Sequence, residues 1–164
     1  MTLQKFAKKD FKVLQDWSTD QDILWQFAGP NLAFPLSELD MQYFLLESSK
    51  GFAFSLFLDS EASQMVGFGQ ILNFAGDASR LGRLIIHPEL RNQGFGRILI
   101  NLLIEKTISL YPSIECIDLY VADSNTSARA CYESVGFDYL TDKHVDITFG
   151  DQLQRLLRMR KNLG

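Results

Sequence analysis

Apolar residues recur along this chain with two different periods, and the change from one to the other organises it. Up to about residue 50 the spacing is helical. Asp10–Trp17 and Asp20–Phe27 each carry an apolar stripe, after a short strand at Leu3–Phe6. Ser37-Glu-Leu-Asp40 has the form of a capping box opening a helix to about Ser48, and Ala28-Gly-Pro-Asn31 and Phe34-Pro35 are loop chemistry between the helices. From Gly51 the period falls to near two: Phe52–Leu58 and Met65–Phe74 read as a hairpin around the polar stretch Asp59–Gln64, and Ser79–Ile86 as a further strand ended by Pro88. Gly94–Tyr111 is the strongest helix. Arg97, Asn101, Glu105 and Ser109 form one solvated stripe on an otherwise apolar cylinder, which should lie against a sheet over most of its girth. Pro112 stops it, and Ile114–Val121 alternates with Ile117, Leu119 and Val121 on one face. A short helix follows from Ser124 or Asn125 to Val135, closed by Gly136, and Phe137–Leu140 resumes strand. Leu153–Lys161 reads two ways: Leu153, Leu156 and Leu157 suit a helix, while Leu157-Arg-Met-Arg160 alternates like a strand. Helices first, then sheet with two late helices, predict a mixed α/β (α+β) domain.

Composition narrows this picture. No internal repeat or Ser/Gly/Pro-rich linker divides the 164 residues, so one domain is expected, able to bury roughly 68–70% of its unfolded surface. Apolar residues make up 46%, which excludes disorder and low complexity. Sixteen Lys and Arg against twenty Asp and Glu give a net charge of −4, so nucleic-acid binding by phosphate neutralisation is not expected. The N-terminal Met1–Asp10 is charged and lacks the apolar core of a secretory signal, and the longest apolar run, Ile98–Ile104, is broken by Asn101. Cys116 and Cys131 make neither a disulfide framework nor a zinc spacing, and His87 and His144 stand far apart, so no metal site is expected. These features together fit a cytoplasmic protein without membrane attachment.

The candidate chemistry lies in Leu84-Ile-Ile-His-Pro-Glu-Leu-Arg-Asn-Gln-Gly-Phe-Gly-Arg-Ile-Leu99. It reads as a buried strand, a short loop, two glycines one residue apart, then a long helix. Gly94 and Gly96 permit close approach, and the unpaired N–H groups of a helix start favour negative charge, which makes an anion site suited to phosphates. A dinucleotide fingerprint would need glycine where Leu99 stands, and a P-loop would need Lys-Ser/Thr after Gly96 in place of Arg97-Ile98. What matches is a pyrophosphate loop of the form Arg/Gln-x-x-Gly-x-Gly/Ala, as Arg91-Asn-Gln-Gly94-Phe-Gly96.

With that loop in place the sequence resembles the GNAT superfamily of N-acetyltransferases. Three parts occur in the family's order: strand Gly82–Ile86 with His87-Pro-Glu, then the Arg-x-x-Gly-x-Gly loop, then Asn125-Thr-Ser-Ala-Arg-Ala-Cys-Tyr132-Glu-Ser-Val-Gly136-Phe137. Met159-Arg-Lys-Asn-Leu163 is similar to the closing strand. The likeness covers residues 80–164 well and 1–79 in outline. It implies a mostly antiparallel twisted sheet of about six or seven strands with one splayed parallel pair, flanked by helices on both faces. It further implies that residues 80–164 form an acetyl-CoA-binding half and residues 1–79 an acceptor-side half.

The resemblance implies acetyl transfer from acetyl-CoA to a primary amine, by direct attack in a ternary complex, with no metal. The sheet would splay between Leu81–Ile86 and Ile114–Val121. Leu84, Ile85 and Ile86 would bond the pantetheine arm like an added strand. Amides across Asn92, Gln93, Gly94, Phe95, Gly96 and Arg97 would cradle the pyrophosphate, with charge from Arg91 and Arg97. Asn125 would bond the pantetheine arm, besides capping its own helix. Tyr132 would give a proton to the departing thiolate. His87 between strand and loop and Glu89 after Pro88 read as structural and solvent-facing.

A general base is not legible. Arg80 and Tyr120 stand where relatives place a Glu, so deprotonation is left to a water chain, to Tyr120 or to an acidic residue such as Glu38. The alternative to an enzyme is a non-catalytic acyl-CoA-binding sensor of the same fold, and either a monomer or a homodimer fits. The acceptor, a small molecule or a peptide, is unassigned: residues 1–50 carry five Lys and seven Asp or Glu, which tolerates a cationic amine without demanding one. Ten of the thirteen Phe precede residue 80; most are expected in the core, and Phe27 and Phe34 are candidate walls of the acceptor site.

Overall fold

A computed structural model describes residues 1–46, 49–59, 64–72 and 76–164. The chain begins with strand β1 (Thr2–Lys5), followed by helices α1 (Phe11–Trp17), α2 (Gln21–Ala28) and α3 (Met41–Leu45). Strands β2 (Gly51–Phe57), β3 (Met65–Leu72) and β4 (Ala78–Ile86) lead to the long helix α4 (Phe95–Leu110). Strand β5 (Cys116–Ala122), helix α5 (Thr126–Ser134) and the hairpin β6 (Asp138–Phe149) and β7 (Gln152–Asn162) complete it. The strands form one sheet in the order β1-β2-β3-β4-β5-β7-β6, antiparallel throughout except for β4 beside β5.

Alternation in the strands sorts side chains onto two helical layers. Ala53 and Phe57 of β2, with Phe68 of β3 and Ile85 of β4, join Phe6, Phe11, Leu14, Phe27 and Phe44 under α1–α3. Phe54 and Leu56 face the other way, with Val66, Ile71 and Leu81, against Leu99, Ile100, Leu103 and Ile104 of α4. Most of the described phenylalanines are core, as expected, with Phe34 the exposed exception. Phe44 lies within 6 Å of Phe11, Phe27 and Phe68, at ring-centroid distances of 5.5, 5.7 and 5.9 Å.

Strand β4 carries one extra residue. Phe68 faces Ile85 and Gln70 faces Gly82, so two steps on β3 span three on β4. Arg83 sits in this bulge with φ +48°, a left-handed conformation that a side chain disfavours. The inserted residue changes the parity of the strand, so Leu81 and Leu84 both pack toward α4 although they are three apart. The sheet opens just ahead of the bulge: β4 and β5 pair only at Ala78 with Cys116, Ser79 with Ile117 and Arg80 with Asp118.

Three expectations need correction. The helix opened by Ser37 ends at Leu45, where Leu46 turns with φ +49°, and Ser48 lies outside the described residues. Its cap is as read, with Ser37 N and Oγ both donating to Asp40 Oδ2 at 2.8 Å. Helix α4 buries one face rather than most of its girth, for Ile98 and Ile108 are exposed beside the polar stripe. The strand beginning at Phe137 continues to Phe149, and Leu153–Lys161 is strand throughout. Strand β6 is the last of the sheet and largely exposed on both faces, so it carries no apolar alternation to read. Phe74, the expected end of β3, is outside the described residues; β3 ends at Leu72.

The β5–β7 seam holds a buried charge cluster. Asp118, only 1% exposed, accepts from Arg160 Nε at 2.7 Å and from Arg158 Nε at 3.1 Å, with further bonds from both guanidiniums. Burial pushes its carboxyl up, and the bonds from Arg160 and Arg158 outweigh that, leaving it below the ordinary carboxylate value. A depressed folded pKa contributes stability above the unfolded value of about 3.9, and that contribution is lost as pH falls through the lower folded value. Asp118→Asn should therefore cost about 3–5 kcal/mol at neutral pH. Urea unfolding at a series of pH values should show the gap to the parent closing in acid; a gap independent of pH would mean that Asp118 does not titrate.

Candidate active site

The end of β4 and the start of α4 make an anion cradle. Asn92 and Gly94 both take left-handed φ, +60° and +89°, and Gly94 is the N-cap of α4. The first intrahelical bond runs from Ile98 N to the Gly94 carbonyl at 3.3 Å, so the amides of Phe95, Gly96 and Arg97 have no acceptor within the helix. Ser127 Oγ donates to Asn92 Oδ1 at 3.1 Å, which ties the loop to α5. Arg91 Nε donates to the Ile86 carbonyl at 3.2 Å and folds back over the end of β4.

Helix α5 presents the second group of candidates. Asn125 caps it by accepting from Ala128 N at 3.2 Å through Oδ1, which leaves the two amide N–H donors outside the cap. Tyr132 lies one face along, half-buried, with its ring 6.3 Å from Phe137. Burial, and secondarily Cys131, push its phenol well above the ordinary tyrosine value, so it stays protonated at neutral pH. Burial likewise raises the Cys131 thiol, against a smaller opposing effect of Arg97.

These residues surround one cleft of about 580 Å³. Leu84, Ile85, Ile86, Arg91, Asn92, Gly94, Gly96, Arg97, Asn125 and Tyr132 all line it. Gln93 and Phe95 do not: Gln93 Nε2 donates to the Glu89 carbonyl at 2.7 Å, and the Phe95 ring packs into the α4 layer. A pantetheine-diphosphate group fits what is present. Past Arg80 the backbone of β4 has no partner on β5, the first amides of α4 have no acceptor within the helix, and a Cβ added at Gly96 would meet Cys131 Sγ at 3.2 Å.

A larger cleft of about 980 Å³ opens between α2, α3 and the β6–β7 hairpin, floored by Arg80, Gly82 and Arg83 of β4 and Tyr120 of β5. Trp25 closes one end against Phe149, at 5.3 Å between rings. The two clefts share Gln26 and Phe27, so α2 forms the wall common to both. Phe27, largely buried, lines both clefts. Phe34 lines neither cleft and is 43% exposed, and Glu38, also exposed, lines neither. Tyr120 lines the larger cleft, while His87 is structural, its Nδ1 accepting from Glu89 N at 3.2 Å and its ring 5.5 Å from Trp17.

Residues 13–137 match the sequence profile of the acetyltransferase (GNAT) family. The chain belongs to that family. This GNAT chain is thus an N-acetyltransferase that moves an acetyl group from acetyl-CoA to an amine. Its fold is shared with the spermidine N-acetyltransferase of Vibrio cholerae, solved with CoA and spermine, at a TM-score of 0.76 and 23% identity over 98% of this chain and 94% of that one. The ribosomal-protein-S18-alanine N-acetyltransferase of Escherichia coli is similar too, at a TM-score of 0.70 and 21% identity over 99% and 94% of the two chains. Among the described residues no group of three or more His, Cys, Asp or Glu could hold a metal, and no helix is long and apolar enough to cross a membrane.

Reading the GNAT motifs missed Arg83, Gln26, Ser127 and Cys131. Arg83 had a signal, for Arg80 and Arg83 stand three apart as the charged residues of a largely apolar strand. A regular strand would turn them to opposite faces, and only a bulge lets both floor one cleft.

Proposed function

We propose that the smaller cleft holds acetyl-CoA and the larger one the acceptor, and that the amine attacks the thioester directly where the two meet. The carrying observation is the shared wall of Gln26 and Phe27 beside the open β4–β5 splay. The thioester supplies an activated acetyl group; the rest is done by the chain. Backbone groups of Leu84, Ile85 and Ile86 act as the missing strand partner, and an amide among them stabilises charge on the acyl oxygen. The amides from Asn92 to Arg97 receive the diphosphate, with Arg91 and Arg97 adding charge, and the Asn125 amide donates to the arm. As the N–C bond forms and the C–S bond breaks, Tyr132 donates to the sulfur, and the proton lost by nitrogen balances the one that sulfur gains. Residues 1–164 act as one unit, and the free thiols Cys116 and Cys131 suit a reducing cytoplasm.

The raised Cys131 thiol argues against a covalent acyl-enzyme, because little thiolate is present to attack. Initial rates measured with both substrates varied should therefore give intersecting lines. Parallel lines, or acetyl label retained on Cys131, would overturn direct attack.

A further inference from the structure

The charge of the larger cleft constrains what it takes. Among its described lining residues Lys50, Arg80 and Arg83 are cationic, and none carries a carboxylate or an imidazole. Arg83 is built into the floor. Its Nη1 donates to Gln70 Oε1 at 2.8 Å and to the Tyr43 carbonyl at 3.2 Å, and its Cζ lies 5.8 Å from the Phe44 ring centroid. Gln70, fully buried, is fixed in turn by donating to the Tyr43 and Phe44 carbonyls at 2.9 and 3.1 Å. Every one of these partners is neutral, the buried Nε has none, and no carboxylate among the described residues pairs with this guanidinium. Burial, and then the charge of Arg80, lower its affinity for its proton. A cation so held, in a strained left-handed conformation, is costly unless a ligand brings the counter-charge.

We propose that the acceptor is a small amine that also carries a carboxylate, with the carboxylate held at Arg83 and the amine directed to the β4–β5 splay. This rests on the reading that the larger cleft takes the acceptor. Arg83 is the chain neighbour of Leu84, about 3.8 Å away between Cα atoms, so anion site and reacting site are close enough for one small molecule to span. Trp25, Phe27, Phe149 and Ile147 offer apolar walls to its body. A polyamine brings no anion and adds like charge. A phosphate dianion pays a desolvation cost that grows with the square of its charge, which favours the monoanionic carboxylate. The same cations disfavour the ammonium form of the bound amine, and so promote the free amine without a carboxylate base in the described lining.

The test is thiol release from acetyl-CoA by the full chain with matched acceptors: free amino acids and other amino-carboxylates, their amides, phosphoethanolamine, spermidine, spermine and a peptide with a free N-terminus. Amino-carboxylates should exceed their amides in kcat/KM by about 10- to 100-fold. Arg83→Gln should erase that discrimination by raising KM, with acetyl-CoA affinity by calorimetry unchanged. Arg83→Lys, which keeps the charge, should retain part of it, and the parent's discrimination stands whether or not the variants fold. Amides or polyamines used as well as amino-carboxylates would overturn the proposal while leaving acetyl transfer intact, and phosphoethanolamine used better would overturn the carboxylate assignment. A protein that binds acetyl-CoA but acetylates none of these amines would overturn the acyl-transfer reading, and this inference with it.

Discussion

Replacing Tyr132 by phenylalanine is expected to lower kcat by roughly 10²–10⁴-fold while leaving the dissociation constant for acetyl-CoA unchanged. The ring would keep its place, because its contact with Phe137 and its packing against the α4 layer involve no hydroxyl. What is lost is one proton held in a half-buried setting. A phenol above its ordinary pKa keeps that proton at neutral pH, when a thiolate begins to form beside it. Because a thiol has a reference pKa near 8.5, complete transfer from so weak an acid is uphill. In the proposed role the hydroxyl would act chiefly as a hydrogen-bond donor that strengthens as charge gathers on sulfur, which is stabilisation confined to the transition state. Single-turnover and steady-state rates with one acceptor, together with calorimetry, separate the outcomes. A full rate in the variant would remove Tyr132 from the chemistry, and a raised KM at constant kcat would make it a positioning residue.

Gly96→Val should weaken acetyl-CoA binding by roughly 10²-fold or more, the loss of one or two charge-assisted bonds from helix amides to a phosphate. The substitution acts by bulk, since φ at Gly96 is not left-handed and the added Cβ already stands 3.2 Å from Cys131 Sγ. The two further methyl groups would add bulk to a position that lines the cleft beside Cys131. Gly94 differs: there the added Cβ has room, with Arg97 Nη2 at 3.6 Å, but φ of +89° makes any side chain strained. Calorimetric titration with acetyl-CoA checks the Val variant, and a thermal melt run alongside tells a blocked site from an unfolded chain. Unchanged affinity would sink the cradle.

The cleft proposed for acyl-CoA was legible because its chemistry is local. Two glycines, a helix start and the Asn125–Tyr132 run are contiguous in sequence, and ten of the twelve residues they nominated surround one cleft. Gln93 and Phe95 stand apart because alternate residues of a tight loop cannot all face one ligand. The cleft proposed for the acceptor was less legible. Its floor is assembled from β4 and β5, its walls from α2, α3 and the β6–β7 hairpin, and no short motif spans such a set. Glu38 and Phe34 were drawn from residues 1–79, yet composition gives no direction. The acidic balance of residues 1–50 pointed toward tolerance of a cationic amine, whereas the cleft is lined by Lys50, Arg80 and Arg83. Strand β6 escaped notice for a different reason. An edge strand exposed on both faces needs no apolar period, and its pairing with β7 is fixed by partners rather than by its own pattern.

The short pairing of β4 with β5 gives the sheet the mechanics of a book. One leaf is β1–β4, the other β5–β7, and the spine between them is three rungs long. A ligand arm laid into the opening adds rungs that the polypeptide does not make, so grip on the ligand and cohesion of the leaves are one quantity. Saturation at a hundred times the dissociation constant would then add about 2.7 kcal/mol to the resistance to unfolding. The abundance of acyl-CoA would set how firmly the book is bound.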